Sequence, residues 1–152
     1  MNLPVFQCHE ISPQRYVEMA GPAARQSLTV SNKILVWEGL DDRDPQKQMI
    51  QDFFYRYREV YKDERSEPVS PFFGYVWDSI MILVRSMREA GTDRVRLRDA
   101  IEGIHRHVGL GGVYGFTYQD HNGIDPDSMV IMEVDGIYED GRGWVGSWRL
   151  AN

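Results

Sequence analysis

The stretch SPFFGYVWDSIMILVRSMREAG, residues 70–91, constrains this chain more than any other. Ser70-Pro71 supplies an N-cap and a first-turn proline, and Gly91 closes the segment, so the boundaries are those of a helix. Between them Phe72, Phe73, Val76, Trp77, Ile80, Met81, Leu83, Val84 and Met87 cover most of the circumference. A helix apolar nearly all round has to be covered on several sides. The expectation is a helix packed on more than one flank.

The remaining elements follow from shorter-range patterns. Leu3 to Cys8 reads as a short buried strand, and Ser12-Pro13 as the start of a helix with Tyr16, Val17 and Ala20 on one face. Ser27–Val30 and Lys33–Trp37 read as two strands around Ser31-Asn32. Asp44-Pro45 opens an amphipathic helix whose apolar positions run from Met49 and Ile50 through Phe53, Phe54 and Tyr57 to Val60 and Tyr61. Asp93 caps a further helix with Leu97, Ile101 and Ile104 facing inward. Val113–Tyr118 and Met129–Val134 are rich in β-branched and aromatic residues and read as strands. Val134–Tyr138 reads as a bend back into extended chain, and Gly141–Gly143 as a turn before Trp144–Trp148. The order of strand, helix, strands, three helices and strands implies an α/β class. Parallel α/β folds alternate more regularly, so part of the expected pattern is missing.

A chain of 152 residues is one domain by length, long enough to bury a core. Its net charge of −6 argues against a nucleic-acid surface and against anionic membranes. The one cysteine, Cys8, cannot form an internal disulfide. The first residues show no basic and apolar signal segment, so either the protein is cytosolic or its beginning lies outside the chain. No apolar run is long enough to span a bilayer.

Chemical motifs are sparse, and no cofactor or metal is expected. With Asp120 at loop position one, an EF-hand register puts Ile124 at position five, Asp125 at the glycine position and Ile131 at position twelve, so it fails. Asn122-Gly123 instead reads as a type I′ turn connecting strands. Gly109–Gly112 is glycine-rich but enters a strand, which leaves no helix amides to hold phosphate. His105-x-His107 sits at a helix exit with no carboxylate or cysteine at ligand spacing. Cys8-His9-Glu10 follows a strand and precedes a helix, the position at which open α/β sheets line a ligand crevice. Adjacent strand residues point to opposite faces, so Cys8 and His9 do not form a nucleophile pair. Glu10 is physically simpler as a carboxylate awaiting a ligand ammonium, or as a solvated loop residue.

Three stretches together carry a family resemblance: residues 32–61 from Asn32 to Tyr61, residues 70–104 from Ser70 to Ile104, and residues 109–136 from Gly109 to Gly136. In them Gly74-Tyr75-x-x-Asp78, Ala90-Gly91 followed by Leu97-Arg-Asp-Ala100, and Asp120-His-Asn-Gly123 stand in a spacing that resembles the C-terminal portion of type I periplasmic substrate-binding proteins, the branched-chain amino-acid type that serves ABC transporters. The resemblance implies a partial fold with Rossmann-like lobes: residues 1–40 at the end of lobe two, 41–120 as closing helices of lobe one, and 121–152 returning toward lobe two. It implies a non-enzymatic, periplasmic or extracellular protein that binds an amino acid or a related carboxylate or amide and hands it to a permease. Glu10 then matches the residue that holds a ligand ammonium, with His9 beside it at the cleft rim. The alternatives are a ligand-sensing receptor or regulator domain of the same fold, or a truncated remnant that self-associates without binding. For the chain alone, an exposed apolar surface where partner elements are missing, buried by self-association or strand exchange, is expected.

Overall fold

The computed structural model describes residues 5–9, 14–61, 69–141 and 143–151. A four-stranded sheet runs in the order β1 (Val5–Gln7), β2 (Ser27–Asn32), β5 (Met129–Glu139), β6 (Trp144–Leu150). β1 and β2 are parallel, and the other two pairings are antiparallel. Helix α1 (Gln14–Ala20) covers one face of this sheet, where Val17, Ala24, Val134 and Ile137 form a core with Tyr16, Trp144 and Trp148. The Tyr16 hydroxyl ties α1 to β2 through Ser27 Oγ at 2.6 Å. On the other face Phe6, Val30 and Ile131 are exposed, beside a cross-strand group in which Arg149 reaches Glu133 at 2.8 Å and Asp135 at 3.6 Å.

The second layer is helical. Helix α2 (Lys47–Val60) buries Ile50 against Ile34 and Leu110, and Trp37, Phe53 and Phe54 pack around them. Ahead of α2, Asp44 makes a turn by accepting from the Gln46 amide at 2.9 Å, and it also holds the Lys33 ammonium at 2.7 Å. Helix α3 (Pro71–Ala90) has the ends its sequence dictates: Ser70 Oγ accepts from the Phe72 amide, and Gly91 takes a positive φ of 71°. Helix α4 (Arg94–Glu102) starts on the Asp93 carboxylate, which accepts from the Val95 and Arg96 amides. A small hairpin of β3 (His107–Val108) and β4 (Val113–Tyr114) is closed by a Gly109 amide bond to the Gly112 carbonyl at 2.8 Å.

Several expectations are corrected. Lys33–Trp37 is not a strand: it forms short 3-10 turns at Lys33–Leu35 and Trp37–Gly39. Asn32 accepts from the Ile34 amide with its side chain, and that cap bends the chain out of β2. Val113–Tyr118 is a strand only to Tyr114, because the Phe116 amide turns aside to the Ile104 carbonyl at 2.7 Å. Asn122-Gly123 is not a type I′ turn, since only Gly123 has positive φ, and the Asn122 amide is instead held by Asp120 Oδ1 at 2.9 Å. The bend read at Val134–Tyr138 is a bulge within one continuous strand, with Gly136 at φ 61°. Leu3 and the Ser12-Pro13 cap lie outside the described residues.

The largest departure concerns α3. Its buried positions are Pro71, Gly74, Asp78, Ile82, Ser86 and Ala90, while Phe72, Phe73, Val76, Trp77, Ile80, Met81, Leu83 and Met87 are exposed. The helix is covered on one side, and apart from Ile82 that side is made of small or polar residues. Backbone-to-backbone closeness explains it: a Cβ on Gly74 would lie 2.8 Å from Gly111 N and Cα, so the hairpin turn packs directly on the helix.

His107, at the start of β3 and not at the helix exit expected for it, carries a pH prediction. Burial holds its imidazole below the ordinary 6.5, with Asp78 opposing and Arg85 reinforcing. As pH falls, the unfolded chain takes up this proton first. Stability from neutral His107 is therefore complete above 6.5 and lost as pH falls through the lower folded value. The loss of Tm between about pH 7.5 and about pH 5 should be smaller in His107→Gln than in the parent chain. Equal slopes would remove His107 from the acid response.

Candidate functional site

The parallel pairing of β1 and β2 brings their carboxyl ends out on one side, and the N-terminus of α3 lies across them. Asn32, the last residue of β2, is fully buried and donates from Nδ2 to the Pro71 carbonyl at 2.9 Å. Thr29 Oγ1 donates to the Cys8 carbonyl at 2.8 Å, fixing the path of the chain just past β1. His9 then lies against α3, with ring centroids 5.1 Å from Phe72, edge-on, and 5.6 Å from Tyr75. The Tyr75 hydroxyl reaches Met129 Sδ at 3.8 Å, where β5 begins. Burial pushes the Tyr75 phenol above its ordinary value, a hydrogen bond with Asn32 opposes this, and the Asp78 charge adds to it.

Of the two residues singled out from sequence, His9 is placed in this corner and Glu10 lies outside the described residues. Cys8 is exposed and free, and β1 has already ended at Gln7. Phe72, Tyr75 and Asn32 were not assigned to a site from sequence. The spacing Gly74-Tyr75-x-x-Asp78 was the available signal, because Gly74 and Asp78 one turn apart face the interior and set Tyr75 on the flank. Asn32 read as a turn residue, and its bond to Pro71 crosses a sequence separation that no local pattern encodes.

The corner has the character of a recognition wall: aromatic faces with hydrogen-bonding groups behind them. Phe72 is open to solvent, so the wall is accessible. A separate cleft of about 500 Å³ lies between the turns around Val36 and Gly39 and strand β6, and neither His9 nor Tyr75 lines it. No group of three or more His, Cys, Asp or Glu that could hold a metal ion occurs among the described residues. No described helix is long and apolar enough to cross a membrane.

No protein-family model and no curated protein matches the sequence. Solved structures do. An extracellular ligand-binding receptor from Rhodopseudomonas palustris is similar with a TM-score of 0.72 and 25% identity, over 95% of this chain and 40% of that one. A periplasmic binding protein type 1 from Bordetella pertussis gives 0.68 and 25%, over 96% and 39%. A putative branched-chain amino acid ABC transporter from Rhodospirillum rubrum shares the fold with 0.61 and 19%, over 99% and 38%. The chain thus spans about two fifths of the proteins it matches, which are binding proteins and receptors. Sheet, helices and similarity together make this chain a partial type I periplasmic-binding-protein fold.

Proposed function

We propose that the chain forms part of the solute-binding component of an ABC transporter, acting outside the cytoplasmic membrane on an amino acid of the branched-chain type or a related small carboxylate or amide. Its work is reversible binding, not catalysis. Residues 1–40 and 121–152 would belong to one lobe and 41–120 to the other. The observation that carries this reading is the His9–Phe72–Tyr75 corner at the carboxyl ends of parallel β1 and β2, where such sheets take ligands. The ligand-binding character of the similar structures supports it.

In this reading Glu10 holds the ligand ammonium by a charge-assisted hydrogen bond, worth about 1.5 to 3 kcal/mol when desolvated. His9 supplies an edge of the wall. In a protein carrying both lobes, Glu10→Ala should weaken leucine by about ten- to a hundredfold in calorimetry. Its effect on 4-methylpentanoate, which lacks the ammonium, should be small. Equal affinity of parent and variant for leucine would remove Glu10 from the site.

A second reading, a ligand-sensing receptor of the same fold, is favoured by the receptor description of the R. palustris structure. Solute uptake after deletion of the gene separates the two: abolished uptake supports transport, and unchanged uptake with a lost response to ligand supports sensing.

A further inference from the structure

The described chain leaves the sheet layer after Asn32, the last residue of β2, and comes back at Met129, the first residue of β5. These two residues are opposed partners in the β2–β5 ladder, so both crossings leave the sheet at one point. A joint of two adjacent strand ends holds two layers together but does not fix the angle between them, because the terminal residues of an element absorb a change of φ and ψ. Side chains have to set that angle. The start of α3 supplies the contacts. Pro71 and Tyr75 stand four residues apart and so share one face of the helix. The Pro71 carbonyl accepts from Asn32 Nδ2 at 2.9 Å, in the interior. The Tyr75 hydroxyl reaches Met129 Sδ at 3.8 Å and bonds with Asn32 as well, so it meets both crossings. Its ring is backed closely by the hairpin turn, where a Cβ on Gly111 would lie 2.7 Å from Tyr75 Cδ1.

We propose that Tyr75 is a positioning residue: it sets the angle between the sheet layer and the helical layer at the Asn32–Met129 joint, and its ring carries that angle to the ligand corner. The ring lies 5.6 Å from His9, in the wall already described. A ligand held against that wall bears on the same side chain whose tip grips the joint. A thioether is a weak acceptor, so the contact to Met129 yields more readily than the buried bond from Asn32 to Pro71. The joint has one lasting tie and one that gives way, as a turning element requires. The cleft of about 500 Å³ between Val36, Gly39 and β6 is open space between the same two layers, so a change of angle meets no packed core there. The link to a ligand rests on the proposed binding function, whereas the setting of the angle does not.

In a Cys8→Ser background, spin labels at Gln51 on α2 and Glu139 on β5, both exposed, report the angle between the layers. Double electron–electron resonance on the ligand-free 152-residue chain should give one narrow distance distribution. Tyr75→Phe should widen it about twofold or add a second distance, with an unchanged far-UV spectrum. Met129→Leu, which keeps the bulk and removes the acceptor, should do the same. Tyr16→Phe is the control: it loses a hydroxyl bond of 2.6 Å inside the sheet layer and should lower the urea midpoint without widening the distribution. An unchanged distribution in either Tyr75→Phe or Met129→Leu would overturn the proposal. So would equal widening in Tyr16→Phe, which would report general loosening. In a protein carrying both lobes, leucine should narrow the parent's distribution, and Tyr75→Phe should bind leucine about three- to tenfold more weakly. Equal leucine affinity in parent and Tyr75→Phe would cut the link between joint and corner. No leucine binding by the parent would instead sink the ligand reading, and the ligand-free distributions would still decide the role of Tyr75 at the joint.

Discussion

Asp78→Ala is expected to lower the stability of this chain by about 3 to 5 kcal/mol, a large share of the roughly 5 to 15 kcal/mol typical of a domain. The carboxylate is 1% exposed and accepts from the Leu110 amide to Oδ1 and the Gly111 amide to Oδ2, each at 2.7 Å. The Tyr114 hydroxyl also bonds to it, and burial pushes that phenol strongly upward. Burial raises the Asp78 carboxyl above its ordinary value, and the two amides and the Tyr114 bond oppose this. Removing the side chain strands two buried amide donors, and each such group costs about 1 to 3 kcal/mol. Asp78→Asn keeps one acceptor oxygen but turns an amino group toward the second amide, so about half the loss is expected. Urea unfolding followed by tryptophan fluorescence measures both. A loss below about 1 kcal/mol for the alanine variant would show that the hairpin turn is not held through Asp78.

The second large effect belongs to Gly74. In Gly74→Ala the new methyl group would lie 2.8 Å from Gly111 N and Cα and 3.1 Å from the Leu110 carbonyl carbon. All three are backbone atoms, so no side chain can rotate away. The turn must back off α3, which stretches the Asp78 bonds and the Gln46 Nε2 bond to the Gly109 carbonyl at 3.0 Å. A cost of about 3 kcal/mol is expected, at the upper end for overpacking. The opposite sign is what helix propensity alone predicts, since alanine favours a helix interior over glycine by about 1 kcal/mol. Equilibrium unfolding therefore decides between local propensity and tertiary contact by the direction of the shift.

These two residues also show why the sequence was only partly legible. Gly74 and Asp78 look like poor choices for a long apolar helix, and the apolar residues around them look like its core. The structure reverses this: the glycine and the aspartate face inward because the Gly109–Gly112 turn approaches from more than thirty positions along the chain. Nothing within a few residues of position 78 announces that partner. The functional corner suffers from the same blindness. His9 was marked by its place after a strand, but Phe72 and Tyr75, against which it lies, come from more than sixty positions away.

The caps were decided locally. Ser70 and Gly91 end α3 and Asp93 starts α4, because each makes its bond within three or four residues of itself. The α/β class and the family resemblance were likewise present in the order of the amino acids. Which side of α3 is inside, that β5 joins β2 instead of Val113–Tyr118, and that Lys33–Trp37 leaves the sheet were settled only when distant segments met. A helix end is satisfied by its nearest neighbours, whereas a face or a strand edge is satisfied by whatever the rest of the molecule brings to it.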